Sequence, residues 1–261
     1  RAKAEFVAYL GSRGAQVATP YHSSDGLLVE TIPDGDALLT LTAYPKASGH
    51  PLDSADPRQC TAEVREQWGR VLGRFHALAQ EYPHGYRPCP AGEPPPTDSP
   101  CPVDDWRSEH AFFATWDVDE EVKGLWRAIG DALAALPQPR DGFGLIHNDM
   151  HSHNMILGEG RLTVIDFDVT AYHWFMSDIA TALHSHLVFG FANRTDEWDT
   201  AAAEFLRPLV AGYCAENTLS REWWERLPLF LAYRDLLLHI VFTGIWGPQA
   251  AEAQRSFLER Q

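Results

Sequence analysis

The stretch GLIHNDMHSHNMILGEGRLTVIDFD, residues 144–168, constrains this chain more than any other. It reads as apolar strand, polar loop, apolar strand: GLIH leads in, NDMHSHN is the loop, MILG leaves, EG turns, and RLTVIDFD returns to end in carboxylates. Three of the 12 histidines of the chain and four acidic residues fall within it.

Two chemistries compete for that pattern. Imidazole is the commonest protein ligand of zinc, but His151 and His153 stand two apart in a loop, where spacing fixes no geometry, and no fourth ligand follows from the sequence. Phosphoryl transfer from ATP has other needs. A carboxylate must orient an attacking hydroxyl and accept its proton, and hard oxygen ligands must hold one or two Mg²⁺ ions against the phosphates. Asp149, Asn154 five residues on, and Asp166 at the end of the following strand supply those parts, and this is the preferred reading.

The remainder of the chain bounds what can surround such a loop. At 261 residues with 45% hydrophobic content it can bury a sizeable core as one large domain or two lobes. A formal charge of −15 disfavours nucleic acid and anionic membranes and suits cationic partners, although solubility alone accounts for such a surface. No apolar run reaches the length of a bilayer span, and RAKAEFVAYLGSRG at the N-terminus lacks the pattern of a signal peptide, so a cytoplasmic address is expected. Cys60, Cys89, Cys101 and Cys214 form no CxxC pair and are expected to be thiols.

Periodicity predicts a helix over 2–13 on Phe6, Val7 and Leu10, then a hairpin of strands 27–32 and 37–44 turned by PDGD. A helix over 61–80 places Val64, Trp68, Val71, Leu72, Phe75 and Leu78 on one face. Residues 83–103 hold eight prolines and are expected to be an irregular connection. Helices follow over 104–116 and 118–135, strands over 143–147 and 162–166, and helices over 177–189, 198–215, 221–227, 228–245 and 249–259. The aromatic residues Tyr172, Trp174, Phe175, Trp223, Trp224 and Trp246 are taken as core, and the acidic run DVDEEVK as a solvated helix start.

HNDMHSHN (147–154) followed by VIDFD (164–168) resembles the catalytic loop and metal-binding strand of the aminoglycoside phosphotransferase-like kinases, relatives of the eukaryotic protein kinases. VLGRFHAL (71–78), AYHWFMSDIATAL (171–183) and FLAYRDLLLHI (230–240) are similar to later segments of the family, the last to its stress-response-kinase-like and homoserine-kinase-like branches. The resemblance implies an α+β, protein-kinase-like fold of two lobes: a partial N-lobe over 1–45 with a hinge at about 41–46, and a helical C-lobe over 46–261. It implies Asp149 as catalytic base, His147 as support of the loop, Asn154 and Asp166 as Mg²⁺ ligands, and Asp178 as the residue that ties the loop backbone down. Glu5 matches the glutamate that pairs with an ATP-binding lysine, and Ala43 and Tyr44 lie in the segment whose backbone would meet the adenine.

The departures are informative. Asn148 stands where the family usually has Gly and Met150 where it has Leu. The strands that carry the phosphate-covering loop and the lysine in the family would precede the first helix, and Lys3 lies too close to Glu5 to replace that lysine. A longer native protein is expected, with a minimal form of weakened nucleotide binding as the alternative. His151 and Asp168 are possible substrate-side groups, Asp168 equally a strand cap, and Asp104, Asp105, Glu109, Asp117, Asp196, Glu197 and Asp199 are candidate contacts for an amino group. The expected activity is transfer of the γ-phosphoryl group of ATP (or GTP), with Mg²⁺, to a hydroxyl of a small amine-bearing molecule of aminoglycoside, choline or homoserine type. A protein Ser/Thr kinase and a non-catalytic binding protein are the alternatives.

Overall fold

The computed structural model describes residues 1–35, 37–82, 104–191 and 194–247. The Pro-rich connection, with Cys89 and Cys101, and the helix expected over 249–259 lie outside them. The architecture is α+β, with small antiparallel sheets set among helices.

The first helix, α1 (Ala2–Ser12), buries Ala4, Phe6, Val7 and Leu10, and Gly14 ends it with φ 77°. Strands β1 (Glu30–Asp34) and β2 (Ala37–Leu41) form the hairpin, with Asp34 opposite Ala37. The first strand lies three residues later than expected and contains Pro33, which a two-stranded ribbon tolerates because its outer edges need no partner. Ile32, Leu38, Leu39 and Leu41 remain exposed.

The helix α2 (Ala62–Glu81) is capped by Thr61 and buries all six positions on its expected face. It crosses α6 (Trp198–Glu216) so closely that a Cβ at Gly69 would stand 1.9 Å from the Leu209 carbonyl oxygen, and one at Gly212 1.9 Å from that of Glu66. The glycines are what allow this approach.

Strand β4 (Phe143–Ile146) leads into the loop, β5 (Met155–Gly158) leaves it, and β6 (Arg161–Val164) returns antiparallel to β5. Two strands were not expected. His50–Pro51 (β3) adds to β5, and Ala171–Trp174 (β7) pairs with β4 with Phe143 opposite Trp174. The segment after α1 runs parallel to β6, with Val164 N–H donating to the Gln16 carbonyl at 2.9 Å. The helices α3 (Trp106–Phe113), α4 (Glu120–Ala134), α5 (Phe175–Phe191), α7 (Arg221–Glu225) and α8 (Leu227–Trp246) complete the described chain. Contrary to expectation, α8 is long and apolar enough to cross a bilayer by length and composition, with mean hydropathy 1.4. It packs against α4 and α5 and buries Phe230, Tyr233, Leu237 and Ile240. One hydrophobic cluster runs from Phe6 and Leu10 through α2 and β6 to Trp174 and Phe230.

A methyl group at the α2–α6 crossing must force the helices apart. Gly69→Ala and Gly212→Ala should each lower stability by about 2–3 kcal/mol in urea unfolding. Gly190→Ala, whose added carbon meets nothing closer than 3.7 Å, should change it by less than about 0.5 kcal/mol.

Candidate active site

The loop hangs from one buried carboxylate. Asp178, in the first turn of α5 and fully buried, accepts the backbone N–H of His147 through Oδ2 at 3.0 Å and that of Asn148 through Oδ1 at 2.7 Å. His76 of α2, also fully buried, meets Oδ2 through Nε2 at 3.3 Å, and its Nδ1 contacts the Tyr213 hydroxyl at 2.9 Å. Strand β4, helix α2 and helix α5 are thereby fixed to one another at the point where the loop begins.

His147 is engaged on both ring nitrogens. Its Nδ1 accepts the Asp149 N–H at 3.2 Å and its Nε2 donates to the Ile165 carbonyl at 3.0 Å, so the neutral Nε2–H tautomer joins the loop to the strand end. Asn148 has φ 70°, a left-handed conformation that Asn tolerates better than most side chains, which explains why it can stand in place of Gly. Its side-chain amide donates to Glu109 Oε2 at 2.5 Å and to the Val169 carbonyl at 3.3 Å.

Asp149 is partly buried, and its two oxygens face different partners. Oδ2 meets His151 Nε2 at 3.3 Å and Asn154 Nδ2 at 3.4 Å, while Oδ1 accepts from Arg234 Nη2 of α8 at 2.5 Å. Burial pushes the carboxyl up, but the bonds and charges of His151 and Arg234 outweigh it and hold the group well below the usual carboxylate range.

Asn154 and Asp166 are donors of the chemical kind a divalent cation takes. Asn154 spends its amide nitrogen on the Asp149 carbonyl at 3.0 Å, which leaves its side-chain oxygen uncommitted, and its own carbonyl accepts from Ile165 N–H at 3.0 Å. Asp166 follows with φ 63°, exposed, and among the described residues its carboxylate has no side-chain partner. An amide oxygen and a free carboxylate are hard donors that suit Mg²⁺. Among the described residues no three His, Cys, Asp or Glu side chains converge as a metal cage.

The other expected residues are placed unevenly. Tyr44 lies near the strand end: burial, then the charges of Asp168 and Asp166, raise its phenol. The Ala43 carbonyl already accepts the Tyr21 N–H at 2.8 Å. Glu5 pairs with Arg1 at 2.9 Å and not with a lysine, whereas Lys3 reaches across to donate to the Asp168 backbone carbonyl and lies 3.9 Å from Asp104. Asp105 caps α3, accepting from Arg107 and Ser108 N–H, and Asp117, Asp196, Glu197 and Asp199 are exposed, Asp117 beside Lys123 and Glu197 beside Arg194. Of the candidate acids only Glu109 reaches the loop. Residues 104–105 are joined to β7 by the Tyr172 N–H to Asp104 carbonyl bond at 2.9 Å, which sets α3 so that Glu109 lies under Asn148. Its Oε1 accepts from the Tyr233 hydroxyl at 2.8 Å, and burial raises its carboxyl against the lowering effect of those two bonds.

Sequence reasoning missed Arg234 and Tyr233. The available signal was an Arg-Asp pair in the middle of an otherwise apolar helix, a placement that costs stability unless the charges are used.

Comparison with known proteins places this arrangement. Solved structures with the same fold include an amicoumacin kinase in complex with AMP-PNP, Ca²⁺ and Ami, with TM-score 0.82 and 25% identity over 99% of this chain and 74% of that one. A microcompartment-associated aminopropanol kinase (TM-score 0.66, 23% identity, 99% of this chain and 78% of that one) shares the fold. So does a choline/ethanolamine kinase family protein from Mesorhizobium loti (0.54, 13%, 99% and 75%). The fold is therefore the kinase-like fold of these proteins. Residues 1–228 match the phosphotransferase enzyme family, and the chain belongs to it. It is 29% identical over 239 residues to amicoumacin kinase of Bacillus subtilis (strain 168), covering 90% of this chain but only 66% of the length of that relative.

If Asp178 carries the loop, Asp178→Asn, which leaves a buried N–H or the His76 ring without an acceptor, should cost about 2–4 kcal/mol in urea unfolding. The exposed Asp168→Asn should change stability by less than about 0.5 kcal/mol.

Proposed function

We propose that the protein transfers the γ-phosphoryl group of ATP, or of GTP, to a hydroxyl of a small, amine-bearing molecule. The observation that carries this reading is the position of Asp149 between Asn154 on one side and the α8 face on the other. The relatives act, by name, on amicoumacin, aminopropanol and choline or ethanolamine, which supports a small acceptor over a protein hydroxyl.

In this reading Asn154 and Asp166 hold Mg²⁺, which when bound neutralises the phosphate charge. Asp149 receives the acceptor hydroxyl and orients its oxygen for in-line attack, with no covalent enzyme intermediate. Because its partners hold Asp149 deprotonated far below neutral pH, it is a weak base. It works by orientation first and takes the proton only as the new O–P bond develops. His147 and Asp178 keep the loop rigid while this happens, and His151 steadies the metal-side oxygen of Asp149. The backbone of Ala43 and Tyr44, at a hinge between a lobe over 1–45 and one over 46–261, receives the adenine. Ala43 offers its N–H, since its carbonyl is taken. Glu5 and Asp168 flank the phosphate side. A cytoplasmic site of action supplies the nucleotide.

Release of ADP in the presence of hydroxylated amines, some with the ammonium on the carbon next to the hydroxyl (ethanolamine, 1-amino-2-propanol, choline) and some with an ammonium farther away (4-amino-2-hydroxybutyrate, an aminoglycoside), tests the reading. Asp149→Ala should lower kcat by about 10³-fold while leaving nucleotide affinity within a few-fold. The folded-state carboxyl of Asp149 is depressed, so wild-type activity should show no loss attributable to it as pH falls from 8 to about 5, above the unperturbed range of the group. A variant that retains more than a tenth of wild-type turnover would exclude Asp149 from the chemistry.

A further inference from the structure

The polar residues of α8 do more than the holding of Asp149 in its deprotonated form requires. In the middle of this apolar helix, Tyr233 donates to Glu109 at 2.8 Å, Arg234 to Asp149 at 2.5 Å, and Asp235 meets His184 Nε2 at 3.1 Å. Only 11% of the Arg234 side chain is exposed, and its Nε is buried without a partner among the described residues. An incompletely satisfied guanidinium is a cost to the fold, so its presence calls for another reason.

Its placement supplies one. The oxygens of Asp149 are divided: Oδ2 belongs to Asn154 and His151, the side where the cation donors lie, and Oδ1 belongs to Arg234. Arg234 thus stands on the acceptor side of the residue that receives the hydroxyl. Together Asp149 Oδ1 and Arg234 Nη2 offer an acceptor and a donor 2.5 Å apart. A molecule with a hydroxyl on the carbon next to a carbonyl or carboxylate offers the complement, a donor and an acceptor about one hydrogen-bond length apart.

We propose that Arg234 determines acceptor specificity: it binds an oxygen of a carboxylate, amide or lactone carbonyl next to the reacting hydroxyl, and it excludes acceptors that place an ammonium there. This rests on the phosphotransferase reading and narrows it. An amine elsewhere in the acceptor remains compatible, because only the group on the carbon next to the reacting hydroxyl is held against the guanidinium. An ammonium on the carbon adjacent to the hydroxyl would instead meet the guanidinium within a few ångströms, where like charges in a partly buried site repel strongly.

The test is ADP release by the chain with Mg·ATP and matched acceptors: lactamide and glycerate, which carry the neighbouring oxygen, 1-amino-2-propanol and ethanolamine, which carry the ammonium, and propane-1,2-diol as neutral reference. Wild-type kcat/KM should be at least tenfold higher for the first pair than for the second. Arg234→Met should erase that preference, chiefly through a rise in KM for lactamide and glycerate at least tenfold larger than any change it causes with propane-1,2-diol, because the loss of the Asp149 contact is common to all acceptors. Arg234→Lys, which keeps the charge and loses the fork, should retain part of the preference, and it serves in place of the Met variant if that one fails to fold. A wild-type preference for the amino alcohols would overturn the proposal. So would an equal loss for all acceptors in Arg234→Met, which would make Arg234 a positioning residue for Asp149 only. Binding of Mg·ATP without turnover of lactamide or glycerate would overturn the acceptor class alone, and no nucleotide binding at all would overturn the phosphotransferase reading with it.

Discussion

The carboxylate of Asp178 accepts two consecutive backbone N–H groups, of His147 and Asn148, in a region closed to water. A buried charge is tolerable only when its lone pairs are filled, and the loop fills them. The loop in turn can present its N–H groups this way only because Asn148 accepts a left-handed backbone. Everything downstream inherits that geometry. His147 fixes the strand end at Ile165, Ile165 fixes Asn154, and Asn154 fixes Asp149. The His76 contact extends the anchor into α2, whose position against α6 depends on glycines that let the two backbones touch.

Charge around Asp149 is arranged by the helices as well as by the loop, which supplies His151 at Oδ2. The first turns of α3 bring Glu109 under Asn148, and α8 brings Tyr233 to Glu109 and Arg234 to Asp149. A negative chain of formal charge −15 therefore places a cation beside the residue proposed to receive the acceptor. Net charge described the surface, and the local field at the site has a different composition.

Much of the loop was legible because its parts are close in sequence. Asp149, Asn154 and Asp166 lie on one strand-loop-strand unit, and the short turn at Glu159 and Gly160 leaves little freedom in how they meet. Helix α2 was legible from the period of its apolar face. What could not be read depends on contacts distant in the chain. The two-residue β3 is a strand only because β5 lies beside it, and β7 was hidden in a run of aromatic residues whose pairing with β4 no local pattern encodes. Glu109 stood in a group of seven acids that sequence could not rank, and only the joining of residues 104–105 to β7 separates it from the rest. The expectation for Glu5 presupposed a lysine partner, and here it pairs with Arg1, which precedes the first helix by one residue.

Calorimetric titration of the chain with ATP, with and without Mg²⁺, tests the central claim most directly, because it asks whether Asn154 and Asp166 form a cation-dependent nucleotide site. The account predicts saturable binding that strengthens at least tenfold with Mg²⁺ and loses that dependence in Asp166→Ala. Binding of equal strength with and without Mg²⁺, or a Mg²⁺ effect that survives Asp166→Ala, would contradict it.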